Sequence, residues 1–133
     1  MKMDPVVHFE MPAKDGKRVS DFYSRAFGWK MSQMGQEMGN YVLATTTETD
    51  ENTKRPKAPG AINGGFYPLT PDMPKDPSVV IAVESIEESM KKITDAGGQI
   101  LGAIMDIPGV GKFVSFRDTE GNRVGILQPA PQM

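Results

Sequence analysis

The sequence predicts an α+β fold: two βαβββ modules whose strands form a curved mixed sheet around a central cleft, with the helices outside. Three observations carry this prediction. Val6 to Met31 reads as an apolar strand, an amphipathic helix, a glycine and a second strand, and Val79 to Leu101 repeats the pattern. Gly28 closes the first helix and Gly98 the second, 70 residues apart, with Ala26 and Ala96 matched alongside. The last strand-like segment of each half ends at a proline, Pro68 and then Pro129.

Taken in order, Val6 to Met11 is a strand candidate followed by Pro12, and Asp15 can cap a helix with Val19, Phe22, Tyr23, Ala26 and Phe27 on one face. Trp29 to Gln33 and Tyr41 to Thr46 read as strands, and the polar stretch from Thr47 to Lys57 as an exposed loop. Ala61 to Tyr67 is a strand that tolerates Gly64 and Gly65, since the flanks of Asn63-Gly64 are too short to form a hairpin of their own. The second half opens with Val79 to Val83. Ser85 and Glu88 then make a capping box for a helix that turns Ile86, Met90, Ile93 and Gly97 inward. Gln99 to Ile107, Gly111 to Arg117 and Arg123 to Gln128 are strands, with a turn at Asp118 to Asn122. The 133 residues suffice for one domain, 1–133, with module one at 5–68, a Pro-rich linker at 69–77 and module two at 78–129.

Composition narrows the function classes. Fifteen basic against seventeen acidic residues give a net charge of -2 with no like-sign block, which removes the electrostatic basis for nucleic-acid binding. No apolar run is long enough to span a bilayer, no signal-peptide pattern opens the chain, and there is no cysteine, so the expectation is a cytoplasmic protein with a small-molecule partner.

Alternation along strands sorts side chains into faces. Val7, Phe9 and Met11 form the apolar set that meets the helix, which leaves Val6, His8 and Glu10 for the cleft. An offset of 70 residues puts Ser78 in the place of His8. Aligning the closing prolines gives an offset of 61 that pairs Gly64 with Gly125, and symmetry then gathers His8, Gly64, Ser78 and Gly125. The same reasoning turns Tyr41, Leu43, Phe66, Phe113 and Leu127 toward the cleft, with Ser115, Arg117 and Arg123 as further polar members. His8 and Glu10 are the candidate catalytic residues, because they are the only acid/base pair that sequence proximity offers. In the alternative reading they hydrogen-bond within the protein and fill the cleft. Gly109-Val110-Gly111-Lys112 lacks the spacing and the following Ser or Thr of a phosphate loop.

The paired modules, the opening His8-Phe9-Glu10 with Asp21-Phe22-Tyr23 and Phe27-Gly28-Trp29, and the closing Phe116-Arg117-Asp118-Thr119-Glu120-Gly121-Asn122 together resemble the vicinal oxygen chelate superfamily. That superfamily includes glyoxalase I, ring-cleaving dioxygenases, fosfomycin-resistance enzymes and bleomycin-binding proteins. The resemblance implies the fold above, a common tendency to form homodimers, and a divalent metal held by residues of the first and last strands of each module. His8 matches the first of those positions, whereas Gly64, Ser78 and Gly125 stand at the others and are poor or impossible ligands. Glu10 lies on the same face as His8, but roughly 6 to 7 Å along the strand. The expectation is therefore no cofactor, an incomplete metal site and a cleft that binds a small, largely apolar or aromatic molecule. Two alternatives remain: a metal-dependent lyase, dioxygenase or transferase of the same superfamily, and a protein-interaction domain with a vestigial cleft.

Overall fold

The structure, a computed structural model, describes residues 2–131. Its elements follow the order β1 (Val6–Ala13), α1 (Gly16–Phe27), β2 (Lys30–Gln33), β3 (Val42–Thr45), β4 (Asn63–Pro68), β5 (Ser78–Ala82), α2 (Ile86–Asp95), β6 (Gln99–Ile107), β7 (Gly111–Arg117) and β8 (Arg123–Pro129). This is the α+β pattern of two successive βαβββ modules. By its contacts the chain divides into two compact units, one spanning His8–Pro77 and the other running from Ser78 onward together with the residues through Val7.

Within His8–Pro77 the strands lie in the order β2-β3-β4-β1, and within the other unit in the order β6-β7-β8-β5. In each, the first strand of the module pairs parallel with the last, and the other pairs are antiparallel. A parallel neighbour needs a crossover longer than a hairpin, which the helix and two intervening strands supply. The same connectivity therefore occurs twice, as the repeat predicts.

Asp15 starts α1 by accepting the Arg18 amide at 3.0 Å, and Gly28 ends it in the left-handed region at φ 73. The helix packs through Val19 and Tyr23 on a core of Val42, Ala44 and Phe66, with Phe9, Met11, Trp29 and Met31 around it. Tyr23 stacks on Trp29 with centroids 4.6 Å apart and meets Phe66 at 5.2 Å. Phe22, Ala26 and Phe27 depart from the expected single face. Phe22 and Phe27 are 57% and 65% exposed, and Ala26 is exposed beside them. The helix meets the sheet through Val19 and Tyr23, and Phe22, Ala26 and Phe27 lie outside that contact, where Phe22 and Phe27 pack on each other and on Tyr23.

In the other unit α2 contacts β6, β7 and β8 and buries more. Ile86 is fully buried with Val83, Val114, Phe116 and Ile126, and Met90 and Ile93 pack against them. Ser85 caps the helix by accepting the Glu88 amide at 3.3 Å. A second cap was not legible in the sequence: the Gln128 side chain of β8 accepts the Ile86 amide at 3.0 Å and ties the last strand to the helix start. The helix end also differs from expectation. Gly97, not Gly98, takes the positive φ of 103 and is exposed, whereas Gly98 is the residue that faces inward, because a Cβ there would crowd Ile93 and the Arg117 carbonyl. The β6 strand is interrupted by a register shift between Leu101 and Met105, with Gly102 at φ 82, as a bulge requires.

Candidate functional site

The first unit builds a polar cluster on the sheet face opposite α1. Alternation on β1 sends Phe9 and Met11 into the helix-covered core and His8 and Glu10 to the other side. The β1/β4 register opposes His8 to Asn63 and Glu10 to Gly65, and the β3/β4 register opposes Leu43 to Gly65. Tyr41, immediately before β3, thus shares the face of Leu43 and is separated from β1 by the width of β4. Its ring crosses that strand over Gly65, where any Cβ would overlap the ring and its hydroxyl. The crossing places the Tyr41 hydroxyl 3.0 Å from His8 Nε2 and 3.2 Å from Glu10 Oε2, to which it donates.

Burial sets the protonation of this cluster. It lowers His8 from the usual 6.5 to about 4, so the imidazole is neutral at pH 7. It also raises the Tyr41 phenol, with the charge and the hydrogen bond of Glu10 acting in the same direction, so the hydroxyl keeps its proton. That one proton goes to the Glu10 carboxylate, so His8 Nε2 must donate to the Tyr41 oxygen. The result is a directed chain from His8 through Tyr41 to Glu10, which leaves His8 Nδ1 as an acceptor.

Register places the remaining residues singled out in the sequence on one face or the other. Leu43 lies on the same face and is 40% exposed. Phe66 is a correction: it pairs with Met11 and Val42, is buried at 2% exposure, and meets Phe9 edge-on, so it belongs to the helix side of the sheet. Gly64 is corrected in the same way, since its missing side chain points at the Phe9 ring, and the glycine on the face of His8 is Gly65. The space at Gly64 is thus filled by Phe9, and that at Gly125 by Phe113.

In the second unit Phe113, Ser115 and Arg117 pair with Leu127, Gly125 and Arg123, and all lie on the face opposite the core residues Val114, Phe116 and Ile126. Arg117 donates to the Gly121 carbonyl at 3.2 Å, in a turn organised by Asp118, which accepts the amides of Glu120 and Asn122. Ser78 opens β5 two residues before Val80, the partner of Gly125.

The His8, Tyr41 and Glu10 side chains do not by themselves make up the ligand set of a transition-metal site. Among the described residues no three of His, Cys, Asp or Glu come together at ligating distance. The one imidazole and one carboxylate of the cluster are bridged by a phenol that occupies the space between them. Zinc-type sites take three or four protein donors of the imidazole, thiolate or carboxylate kind, and the cluster offers two. Two hollows within His8–Pro77 lie elsewhere: a groove of about 420 Å³ along the outer side of α1 at Arg18, Phe22 and Arg25, and one of about 280 Å³ between Lys14, Gln33 and Asn40. Neither is lined by the polar cluster, where the directed hydrogen bonds are.

The model of the glyoxalase/bleomycin resistance protein/dioxygenase superfamily matches residues 6–126. The protein CFP32 of Mycobacterium bovis is 36% identical over 71 residues, which is 53% of this chain and 27% of that protein, so the match takes in about a quarter of the relative's length. A glyoxylase-like domain-containing protein of Didymella fabae is 31% identical over 117 residues, covering 85% of this chain and 84% of that protein. Among solved structures, methylmalonyl-CoA epimerase from Mycobacterium tuberculosis superposes with a TM-score of 0.68 at 12% identity, over 95% of this chain and 88% of that one. At that identity the likeness is one of fold.

Proposed function

Because this chain belongs to the glyoxalase/bleomycin resistance protein/dioxygenase superfamily, we propose that it binds a small, largely apolar or aromatic molecule against the face of His8, Glu10 and Tyr41, without a complete metal site. The observation that carries this reading is the hydrogen-bonded chain itself. Three half-buried polar groups are held in fixed orientation over a glycine, beside the exposed side chain of Leu43, on the sheet face that α1 leaves open. Apolar surface with a few oriented polar groups is how small-molecule sites are made. The donor set argues against chemistry that needs a metal held by these residues. A homodimer belongs to the same proposal: β2 and β6 each end their sheet, and Phe22 and Phe27 offer exposed aromatic surface.

Thermal unfolding in the presence of a chelator, against a panel of small aromatic compounds, tests the reading. A ligand at a hundred times its Kd adds about 2.7 kcal/mol, which for a chain of this size raises Tm by roughly 10 °C. The rise should vanish in a Tyr41→Phe, His8→Ala double variant. Near-stoichiometric metal in protein purified without chelator, lost in both His8→Ala and Glu10→Ala, would overturn the metal-free part of the proposal.

A further inference from the structure

The direction of the hydrogen bonds selects among possible ligands, and this inference rests on the binding reading above. We propose that the site takes a ligand that donates a hydrogen bond, a hydroxyl or amine on a small apolar or aromatic body, with His8 Nδ1 as the acceptor and carboxylates rejected.

The argument turns on the single proton of Tyr41. A phenol that donates to a carboxylate has only lone pairs left, so its other neighbour must be a donor. His8 Nε2, at 3.0 Å, therefore carries the ring proton, and a neutral ring protonated at Nε2 has its lone pair at Nδ1. Nδ1 makes no hydrogen bond to any described residue, and among the described residues no fully enclosed side-chain nitrogen or oxygen lacks a partner, so Nδ1 of the half-buried ring is not sealed off. An incoming molecule meets an acceptor there. A hydroxyl or an ammonium complements this acceptor, whereas the lone pairs of a carbonyl or a carboxylate face it unfavourably, and the carboxylate also gives up the stronger hydration of its charge.

Nothing in the cluster can reverse this polarity cheaply. Turning the ring proton to Nδ1 would leave Nε2 and the Tyr41 oxygen as two facing acceptors, unless the phenol abandoned Glu10. Gly65 leaves the space in which the Tyr41 ring lies over β4, where the hydroxyl reaches both His8 and Glu10. Gly65 and Tyr41 are thus the specificity-setting residues, and they act on the ligand through the tautomer of His8.

Isothermal titration with three probes of one size and different polarity decides the matter: benzyl alcohol as donor, acetophenone as neutral acceptor and benzoate as anion, on the full chain at pH 7. The expected result is benzyl alcohol binding about tenfold tighter than acetophenone, the worth of one hydrogen bond, with benzoate weaker still. In Tyr41→Phe the His8 ring is released to either tautomer, and the alcohol and ketone should converge. Acetophenone or benzoate binding as tightly as the alcohol overturns the polarity argument while leaving the binding reading intact. No binding by any probe, with folded protein confirmed by circular dichroism, overturns both. A preference that persists unchanged in Tyr41→Phe refutes the role given to Tyr41.

Discussion

Gly65→Ala is the substitution on which the account of the site depends most directly. The new methyl group would occupy the space of the Tyr41 ring and hydroxyl, and overpacking of that kind costs about 1–3 kcal/mol. A displaced ring also gives up its bonds to His8 and Glu10, a further loss of about 1–2 kcal/mol for one neutral and one charge-assisted bond that water partly replaces. Against this, alanine is better than glycine in an extended strand by about 0.5–1 kcal/mol. The net expectation is destabilisation of roughly 2–3 kcal/mol, or a Tm lower by about 10 °C.

Urea unfolding of four proteins measures it: the parent, Gly65→Ala, Tyr41→Ala and the double variant. The three atoms nearest the alanine methyl all belong to the Tyr41 ring and its hydroxyl, so Gly65→Ala should be neutral or slightly stabilising in the Tyr41→Ala background. The coupling energy across the cycle is then of the same order, about 2–3 kcal/mol. A Gly65→Ala variant within about 0.5 kcal/mol of the parent, or one whose cost survives removal of the tyrosine ring, refutes the claim that this glycine exists to seat Tyr41.

Three further outcomes follow from the same structure. His8 is the single histidine of the chain and its folded pKa is lowered to about 4 from 6.5, so its neutral form is the folded one; stability from this group is full above pH 6.5 and falls as pH drops toward 4. The ceiling is about 3 kcal/mol from the size of the shift. It should disappear from the pH profile of His8→Asn, while losses at still lower pH, from the exposed carboxylates of Asp15, Asp50 and Asp118 held low by backbone and side-chain hydrogen bonds, remain. Gln128→Ala removes the acceptor of the Ile86 amide and should lower stability by about 1 kcal/mol in denaturant unfolding, a cost absent from Gln128→Glu at neutral pH. Gly111→Ala puts a Cβ against the Gln128 carbonyl at φ 145, where backbone cannot give as a side chain can, and should cost at least about 2 kcal/mol by the same assay.

Much of the fold was legible because its signals are local. Strand alternation, the Asp15 and Ser85 caps and the turn at Asp118 are each written within a few residues, and their elements appear where expected. The errors arose where one residue of register decides the face. Gly64 and Gly65 are adjacent, equally small and on opposite sides of β4, so the closing prolines could not tell which one belongs with Gly125; they sit at different distances beyond the glycines, and the offset of 61 placed Phe66 and Gly64 on the wrong face. Phe22 and Phe27 were misread for another reason. Helical spacing shows which residues share a stripe, but not how much of that stripe meets the sheet. The bond from Gln128 to Ile86 spans 42 positions and has no sequence signature at all.

Corrected by one residue, the repeat shows which positions set the hydrogen-bonded cluster of the first half apart from its counterpart in the second. Gly65 opposes Glu10 on β1 and Leu43 on β3, while Gly125 opposes Val80 on β5 and Ser115 on β7. An offset of 60 therefore aligns the two glycines, and the offset of 70 aligns His8 with Ser78 and Glu10 with Val80. Two residues before Leu43 stands Tyr41, and two before Ser115 stands Phe113, each with its ring laid over the glycine of the last strand. An aromatic ring over a glycine is thus common to both units. In the first the ring carries a hydroxyl and its neighbours are an imidazole and a carboxylate; in the second the ring is bare, and serine and a buried valine take their places. A hydroxyl at position 113 would have neither an imidazole nor a carboxylate at the matching positions, and a phenylalanine at position 41 would leave two polar groups without the phenol that joins them. Tyrosine with His8 and Glu10, and phenylalanine with Ser78 and Val80, are each self-consistent sets. Only in the first of these two sets does the ring over the glycine join an imidazole to a carboxylate by hydrogen bonds.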